Sequence, residues 1–241
     1  MLLLSHGISD IGLLRANNED VWIALPEFGF FALADGMGGH KAGEVAARET
    51  IEQLSKAVQA PRFSLLEAIE RANAWVFKES RQALYKGMGT TLCCLHWTAT
   101  TVTYAHVGDS RIYRFRNDQL ELLTQDHSLH AKLLSSGLNS KTPYPYKNVI
   151  TRAIGTAKHI HPEITSTPFE PGDLFLLCSD GLSDALPLED MEKIIQRSET
   201  LELMASRLIE KAKIKGSRDN ITALLVKDGT DLLRQQLHDG P

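Results

Sequence analysis

The sequence predicts an α+β protein: a central antiparallel β-sandwich with pairs of helices packed on its outer faces. Three observations carry this expectation. Short β-rich runs recur at regular spacing with turn residues between them, helical periodicity appears in two paired stretches, and no repeat, low-complexity tract or Ser/Gly/Pro linker divides the 241 residues. The expected organisation is one domain over residues 1–241, with a core at about 5–227 and a short amphipathic tail at 228–241.

Apolar runs of strand length occupy 21–25 and 29–34. A helix over 43–58 then puts Ala47, Ile51, Leu54 and Val58 on one face, and a second over 64–84 groups Leu65, Ile69, Ala72, Val76 and Phe77. Strands are expected at 90–97, 101–107, 110–116, 119–123, 148–153 and 173–178. The second helix pair covers 188–197, opened by Pro187, and 201–211, followed by Gly216. A strand over 221–227 completes the sandwich.

Composition narrows the function. With 26 Lys+Arg against 30 Asp+Glu the formal charge is −4, which argues against nucleic acid or a membrane surface as partner, since both need clustered cations. Cys93, Cys94 and Cys178 lie inside apolar runs and read as small buried hydrophobes of a reducing compartment. The apolar start, Met1 to Leu4, is shorter than the roughly 7–15 residues of a signal-peptide core, and no stretch approaches the roughly 20 needed to cross a bilayer. A cytoplasmic location is expected.

The acids are patterned. Glu19-Asp20 precedes the apolar run 21–25, Asp35-Gly36 follows 30–34, Asp109 follows 104–107, Asp180-Gly181 follows 174–178, and Asp219-Asn220 precedes 221–226. Each alone is ordinary turn chemistry. Brought together at strand ends, the carboxylates repel one another and their pKa values rise unless a divalent cation intervenes. Oxygen donors suit Mg²⁺ or Mn²⁺, whereas the His-x-x-x-His and Cys-x-x-Cys spacings that zinc prefers are missing. A carboxylate-bridged metal pair lowers the pKa of bound water and clamps the oxygens of an in-line displacement, which makes hydrolysis of a phosphate ester the natural reaction. Arg15, four residues before Glu19, offers a fork-shaped cation for phosphate oxygens. The Gly-rich segment from Asp35 to His40 has neither Walker nor dinucleotide-binding spacing.

In this order the residues resemble the metal-dependent protein phosphatases of the PPM, or type 2C, family in its short bacterial form. The resemblance spans roughly Ser5 to Lys227: Arg15-x-x-Asn18-Glu19-Asp20; Ala34-Asp35-Gly36-Met37-Gly38-Gly39-His40 with Gly43-Glu44; Gly87-Met88-Gly89-Thr90-Thr91; and His106-Val107-Gly108-Asp109-Ser110-Arg111. Further along come Leu123-Thr124-x-Asp126-His127-Ser128, Val149-Ile150-Thr151-Arg152-Ala153, Cys178-Ser179-Asp180-Gly181-Leu182-x-Asp184 and Asp219-Asn220-Ile221-Thr222. The ordered set is specific where each motif alone is weak.

The resemblance implies a four-layer α-β-β-α fold and hydrolysis of phosphoserine and phosphothreonine with two core Mn²⁺ or Mg²⁺ ions and a weaker third. It implies that Asp35 bridges the core pair, that the Gly36 carbonyl binds one ion, and that Asp180 and Asp219 bind the other. Glu19 and Asp20 would hold metal-bound waters, Arg15 the substrate phosphate, and Asp109 and Asp184 the third ion. A metal-bridging water would attack phosphorus directly, with no phosphoenzyme. The proton donor to the leaving group is either His40 or a water on the third ion, because Met37 stands where many eukaryotic relatives carry a histidine. His127 is expected to be structural, and residues 130–147, the family's flap, to contact the phosphopeptide. A monomer working on phosphoproteins against a cognate Ser/Thr kinase follows. The competing readings are a catalytically dead binding module and a different two-metal hydrolase, a nuclease or small-molecule phosphatase. Removing Glu19, Asp20, Asp35, Asp109, Asp180, Asp184 and Asp219 leaves 23 of the 30 acids against 26 bases, so the negative charge is concentrated in the expected site.

Overall fold

Alternation along the strands builds the layers. In the strand Phe30–Met37 (β3), Phe30, Ala32 and Ala34 face one way, and Phe31 and Leu33 the other. The strands Leu174–Cys178 (β10) and Ile221–Asp228 (β11) do the same, with Leu176 and Ala223 on one side and Phe175 and Leu224 on the opposite side. Each sheet is therefore apolar on both faces and must be covered on both. The computed structural model describes residues 2–38, 42–136 and 149–229.

Among the described residues two antiparallel sheets form. One has the order β1 (Leu3–Asp10), β11, β10, β7 (Arg111–Arg116) and β8 (Gln119–Leu122). The other runs β2 (Asp20–Leu25), β3, β5 (Leu92–Trp97), β6 (Thr101–Val107) and β9 (Glu163–Pro168), with β4 (Gly89–Thr90) added on β3. Phe31, Leu95, Phe175 and Leu224 fill the space between the sheets. The helices Ala42–Val58 (α1) and Leu65–Glu79 (α2) cover one outer face through Ile51, Leu54, Ile69 and Val76. Leu188–Gln196 (α5) and Leu201–Ile214 (α6) cover the other through Met191, Ile195, Leu208 and Ile209. The α-β-β-α sandwich expected from the sequence is thus the observed fold, and the three cysteines are buried and free. No helix among the described residues is long and apolar enough to cross a membrane.

The differences have local causes. β1 and β9 were not expected: they are edge strands, β9 mostly exposed with Glu163, Thr165 and Ser166 in its run, so no apolar pattern marks them. The strand expected at 148–153 is replaced by isolated bridges, Ser128 with Ile150 and Thr90 with Ile154, because this segment pairs with several neighbours in turn; Asn148 lies outside the described residues. The run 90–97 is interrupted at Thr91, which donates its N–H to the Asp35 carbonyl. The second helix stops at Glu79, where the Ser80 hydroxyl donates to the Phe77 carbonyl, and Ala83–Tyr85 form a separate 3-10 turn. Short helices Leu129–Ser135 (α3) and Asp180–Ser183 (α4) were also not expected. The rest of the expected flap, 137–147, and the tail from 230 fall outside the described residues.

Candidate active site

The acids at the strand ends converge on one cavity of about 380 Å³, bordered by Arg15, Glu19, Asp35, Gly36, Asp109, Asp180 and Asp219. Volume does not single it out, since a roomier cleft of about 790 Å³ lies between α2 and residues 158–161. What distinguishes the smaller cavity is its chemistry. A second hollow beside it brings Asp184 together with Asp109 and Asp180. His40 lies outside the described residues.

Backbone contacts fix each acid. Asp35 sits near the end of β3, directly across from Asp20 of β2. Its N–H donates to the Thr91 hydroxyl at 3.0 Å, and its carbonyl accepts from the Thr91 N–H and the Thr90 hydroxyl, both at 2.8 Å. A Cβ on Gly36 would meet the Gly43 carbonyl at 2.2 Å, so only glycine lets β3 approach the start of α1 this closely. Asp20 is buried, and its Oδ2 accepts from Ser179 at 2.7 Å and Thr222 at 2.6 Å. Asp180 opens α4 directly after β10. Gly181 lets that turn lie against the Asn220 carbonyl, which a Cβ would approach to 2.0 Å. Asn220 is a hub: its amide donates to the carbonyls of Ile11 and Asn17, and its oxygen accepts from the Glu19 N–H, tying the Arg15 loop to Asp219. Arg15 pairs with Asp219 across the cavity mouth.

The electrostatics follow from burial and crowding. Burial, reinforced by Asp20, Asp180, Asp219 and Asp109, pushes the Asp35 carboxyl well above the carboxylate range. Burial, then Asp109 and Asp219, pushes Asp180 up to about 8. Burial raises Asp20 and Asp109 to about 6 each, Asp109 with help from Asp126, and also raises Glu19. Burial opposes the Arg15 charge, but pairing with Asp219 and the fields of Glu19 and Asp35 hold its pKa above the ordinary value. Among the described residues lining the cavity Arg15 is the one cation. Oδ1 of Asp180 is buried without a hydrogen-bond donor, and so is Oδ1 of Asp20. An oxygen-only donor set in which, among the described residues, one arginine answers several acids, with a buried carboxylate oxygen that no donor reaches, fits hard divalent cations.

Comparison with known proteins identifies the family. Residues 16–224 match the sequence model of the family described as protein phosphatase 2C. The chain belongs to the protein phosphatase 2C family. It is 38% identical to the serine/threonine phosphatase stp of Listeria innocua, over 91% of this chain and 93% of that one. The serine/threonine phosphatase of S. agalactiae superposes with a TM-score of 0.87 at 34% identity, covering 93% of this chain and 99% of that one. The catalytic domain of the phosphatase PstP, solved with two manganese ions, gives a TM-score of 0.82 at 35% identity over 93% and 97% of the two chains. As a member of the 2C family the protein is a metal-dependent serine/threonine phosphatase.

Sequence reasoning missed the residues that hold the acids. Thr90, Thr91, Ser179, Asn220 and Thr222 stand inside the quoted motifs, so the motifs could have marked them, but their roles appear only once the strands are side by side. Glu163, which reaches both His106 and His127, lies in no motif.

Proposed function

We propose that Asp35, the Gly36 carbonyl, Asp180 and Asp219 hold two Mn²⁺ or Mg²⁺ ions, that Asp109 and Asp184 with Asp180 hold a weaker third, and that Arg15 binds the phosphoryl group of a phosphoserine or phosphothreonine. The observation that carries this reading is the convergence of Asp35, Asp109, Asp180 and Asp219 on one cavity where, among the described residues, Arg15 is the single cation. When bound, the ion pair supplies Lewis acidity, lowering the pKa of water and neutralising charge on the phosphoryl oxygens.

The chain's own residues do the positioning. The Arg15 guanidinium presents a planar fork, able to take two phosphoryl oxygens and to stabilise the charge that builds on them in the transition state. Asn220 keeps the Arg15 loop and Asp219 at a fixed separation. Asp20, anchored by Ser179 and Thr222, and Glu19, whose carboxylate would touch any Cβ added at Gly43, stand behind the ligands and orient bound water. Substrates are phosphoproteins. A cognate Ser/Thr kinase as their source, a monomeric single-domain state and a cytoplasmic location are part of the proposal. Three buried free thiols support the reducing compartment.

Mn²⁺-stimulated hydrolysis of an aryl phosphate and of phosphopeptides tests the reading. Both activities should vanish in folded Asp35→Asn, while sugar phosphates should be poor substrates. Full activity in an Asp35→Asn, Asp180→Asn double variant would sink the metal assignment.

A further inference from the structure

His127 stands outside the acid cluster, yet it holds the turn that carries Asp109. β6 ends at Val107, and Gly108 to Ser110 lead across to β7 in the other sheet. Gly108 has φ +107, and a Cβ there would lie 2.7 Å from the Thr91 side chain. Both of its backbone groups go to His127. The Gly108 N–H donates to His127 Nδ1 at 3.1 Å, and the His127 N–H donates to the Gly108 carbonyl at 2.8 Å. At the other end of the turn Ser110 shares a 2.6 Å hydrogen bond with the Thr91 hydroxyl, which also accepts the Asp35 N–H. The turn is thus braced between Asp35 on one side and His127 on the other.

The Gly108 bond settles the tautomer. A ring nitrogen that accepts from an amide carries no hydrogen, so neutral His127 bears its proton on Nε2. That Nε2–H donates to Glu163 Oε1 at 3.0 Å. Arg152 Nη1 lies 3.2 Å from the same Nε2, but two donors do not bond each other, and its partner is Glu163 Oε1 at 3.1 Å. His106 stacks on His127 with ring centroids 4.5 Å apart, and its Nε2–H donates to the Gln125 carbonyl at 2.8 Å. His106, His127 and Glu163 have the composition of a metal site. Both Nε2 atoms carry hydrogens, however, and His127 Nδ1 is taken by the Gly108 amide, so the one free lone pair of the two rings is on His106 Nδ1, which is buried without a partner and by itself makes no site. Burial holds both imidazoles below their ordinary pKa, which keeps them neutral near pH 7.

We propose that His127 is a positioning residue for divalent-cation binding at Asp109, with Nδ1 fixing the Gly108 amide and Glu163 fixing the ring. The proposal rests on the assignment of Asp109 as an ion ligand made above. It replaces a purely structural role for this histidine with a defined one: the imidazole is the acceptor that sets the Gly108–Asp109 turn, so a change in its hydrogen-bonding pattern is transmitted to the Asp109 carboxylate.

Two measurements on the full chain test it. Without metal, long-range proton–nitrogen correlation spectra should show His127 with Nδ1 bare and Nε2 protonated; the opposite tautomer overturns the proposal. His127→Asn is then compared with His127→Gln, because the Asn oxygen falls where Nδ1 was and accepts from Gly108, whereas the Gln oxygen reaches toward the Nε2 position. By equilibrium dialysis the Mn²⁺ affinity of the weakest site should stay within about threefold of the parent for His127→Asn and fall about tenfold for His127→Gln. Amide exchange at Gly108 should speed up in His127→Gln alone. Equal affinities in the two variants, whether high or low, overturn the proposal. Asp109→Asn separates the two layers of argument: if it loses no Mn²⁺ affinity, the ligand assignment fails by itself, whatever the His127 tautomer and Gly108 exchange report.

Discussion

Replacing Asp180 by Asn exchanges a buried carboxyl for a neutral amide of nearly the same shape, and it should stabilise the metal-free protein while destroying its response to metal. Burial and the neighbouring acids push this carboxyl from an ordinary 3.8 up to about 8. At pH 7 it is ionised in the unfolded chain and largely protonated in the fold, and the roughly 3 pH units between 3.8 and 7 make that proton uptake cost about 4 kcal/mol. Asp35, Asp109 and Asp219 face the same space, so a proton gained by one relieves the others, and an amide that needs no proton on folding recovers only part of this cost, roughly 2 kcal/mol. For a chain of this size that raises Tm by about 4–8 °C. The sign with pH is fixed. Below pH 3.8 both states hold the proton and the substitution gains nothing; between 3.8 and about 8 the folded parent binds more protons than the unfolded chain, so its stability falls as pH rises and the gain from Asn grows. Thermal unfolding monitored by circular dichroism in a chelator, at pH 4, 6 and 8, reads the gain. Added Mn²⁺ should invert the order at pH 8, stabilising the parent and not the variant. A variant less stable than the parent at pH 8 without metal, or a gain equal at pH 4 and pH 8, would refute the reasoning.

Three further outcomes follow from individual contacts. Arg15→Lys keeps the charge but loses the fork, and should lower kcat/KM for a phosphopeptide about tenfold or more, with Mn²⁺ affinity little changed; unaltered steady-state kinetics would remove Arg15 from phosphate binding. Gly12→Ala forces φ +77 on a residue with a Cβ that would lie 2.1 Å from the Asp219 carbonyl. It should cost about 1–3 kcal/mol in chemical denaturation and weaken Mn²⁺ binding through Asp219, so a variant equal to the parent in both would show that the loop does not brace the ligand. His40→Asn distinguishes the two proton donors expected from the sequence: if His40 is the acid, turnover of phosphoserine peptides should fall about a hundredfold while an aryl phosphate, whose leaving group needs no proton, is spared. Equal losses on both substrates would assign the proton elsewhere.

The parts of this molecule that sequence could reveal are those where a residue's neighbours along the chain also determine its surroundings in space. β3, β10 and β11 announce themselves because both of their faces are buried over most of their length, so apolar residues follow one another without a break at 30–34, 174–178 and 223–226. β9 and β1 do not, because an edge strand half in water needs no hydrophobic pattern and takes its place from a partner far along the chain. The same division holds in the site. Asp35, Asp180 and Asp219 were legible as acids capping apolar strands, whereas the 36-residue separation of His127 and Glu163 hides a contact that only the folded turn creates. The register of β2 on β3 sharpens the point, for it sets Asp20 directly opposite Asp35. Like charges across an antiparallel pair are destabilising, and a sequence selected for folding alone would separate them. The chain keeps both and supplies hydroxyls from Ser179 and Thr222 to only one of them, Asp20. The proposed function gives these two facing carboxylates different tasks: Asp20 is held in place by the hydroxyls, and Asp35 is the one proposed to take a cation. A local violation of the rules that build the rest of the sandwich therefore marks where stability was exchanged for chemistry.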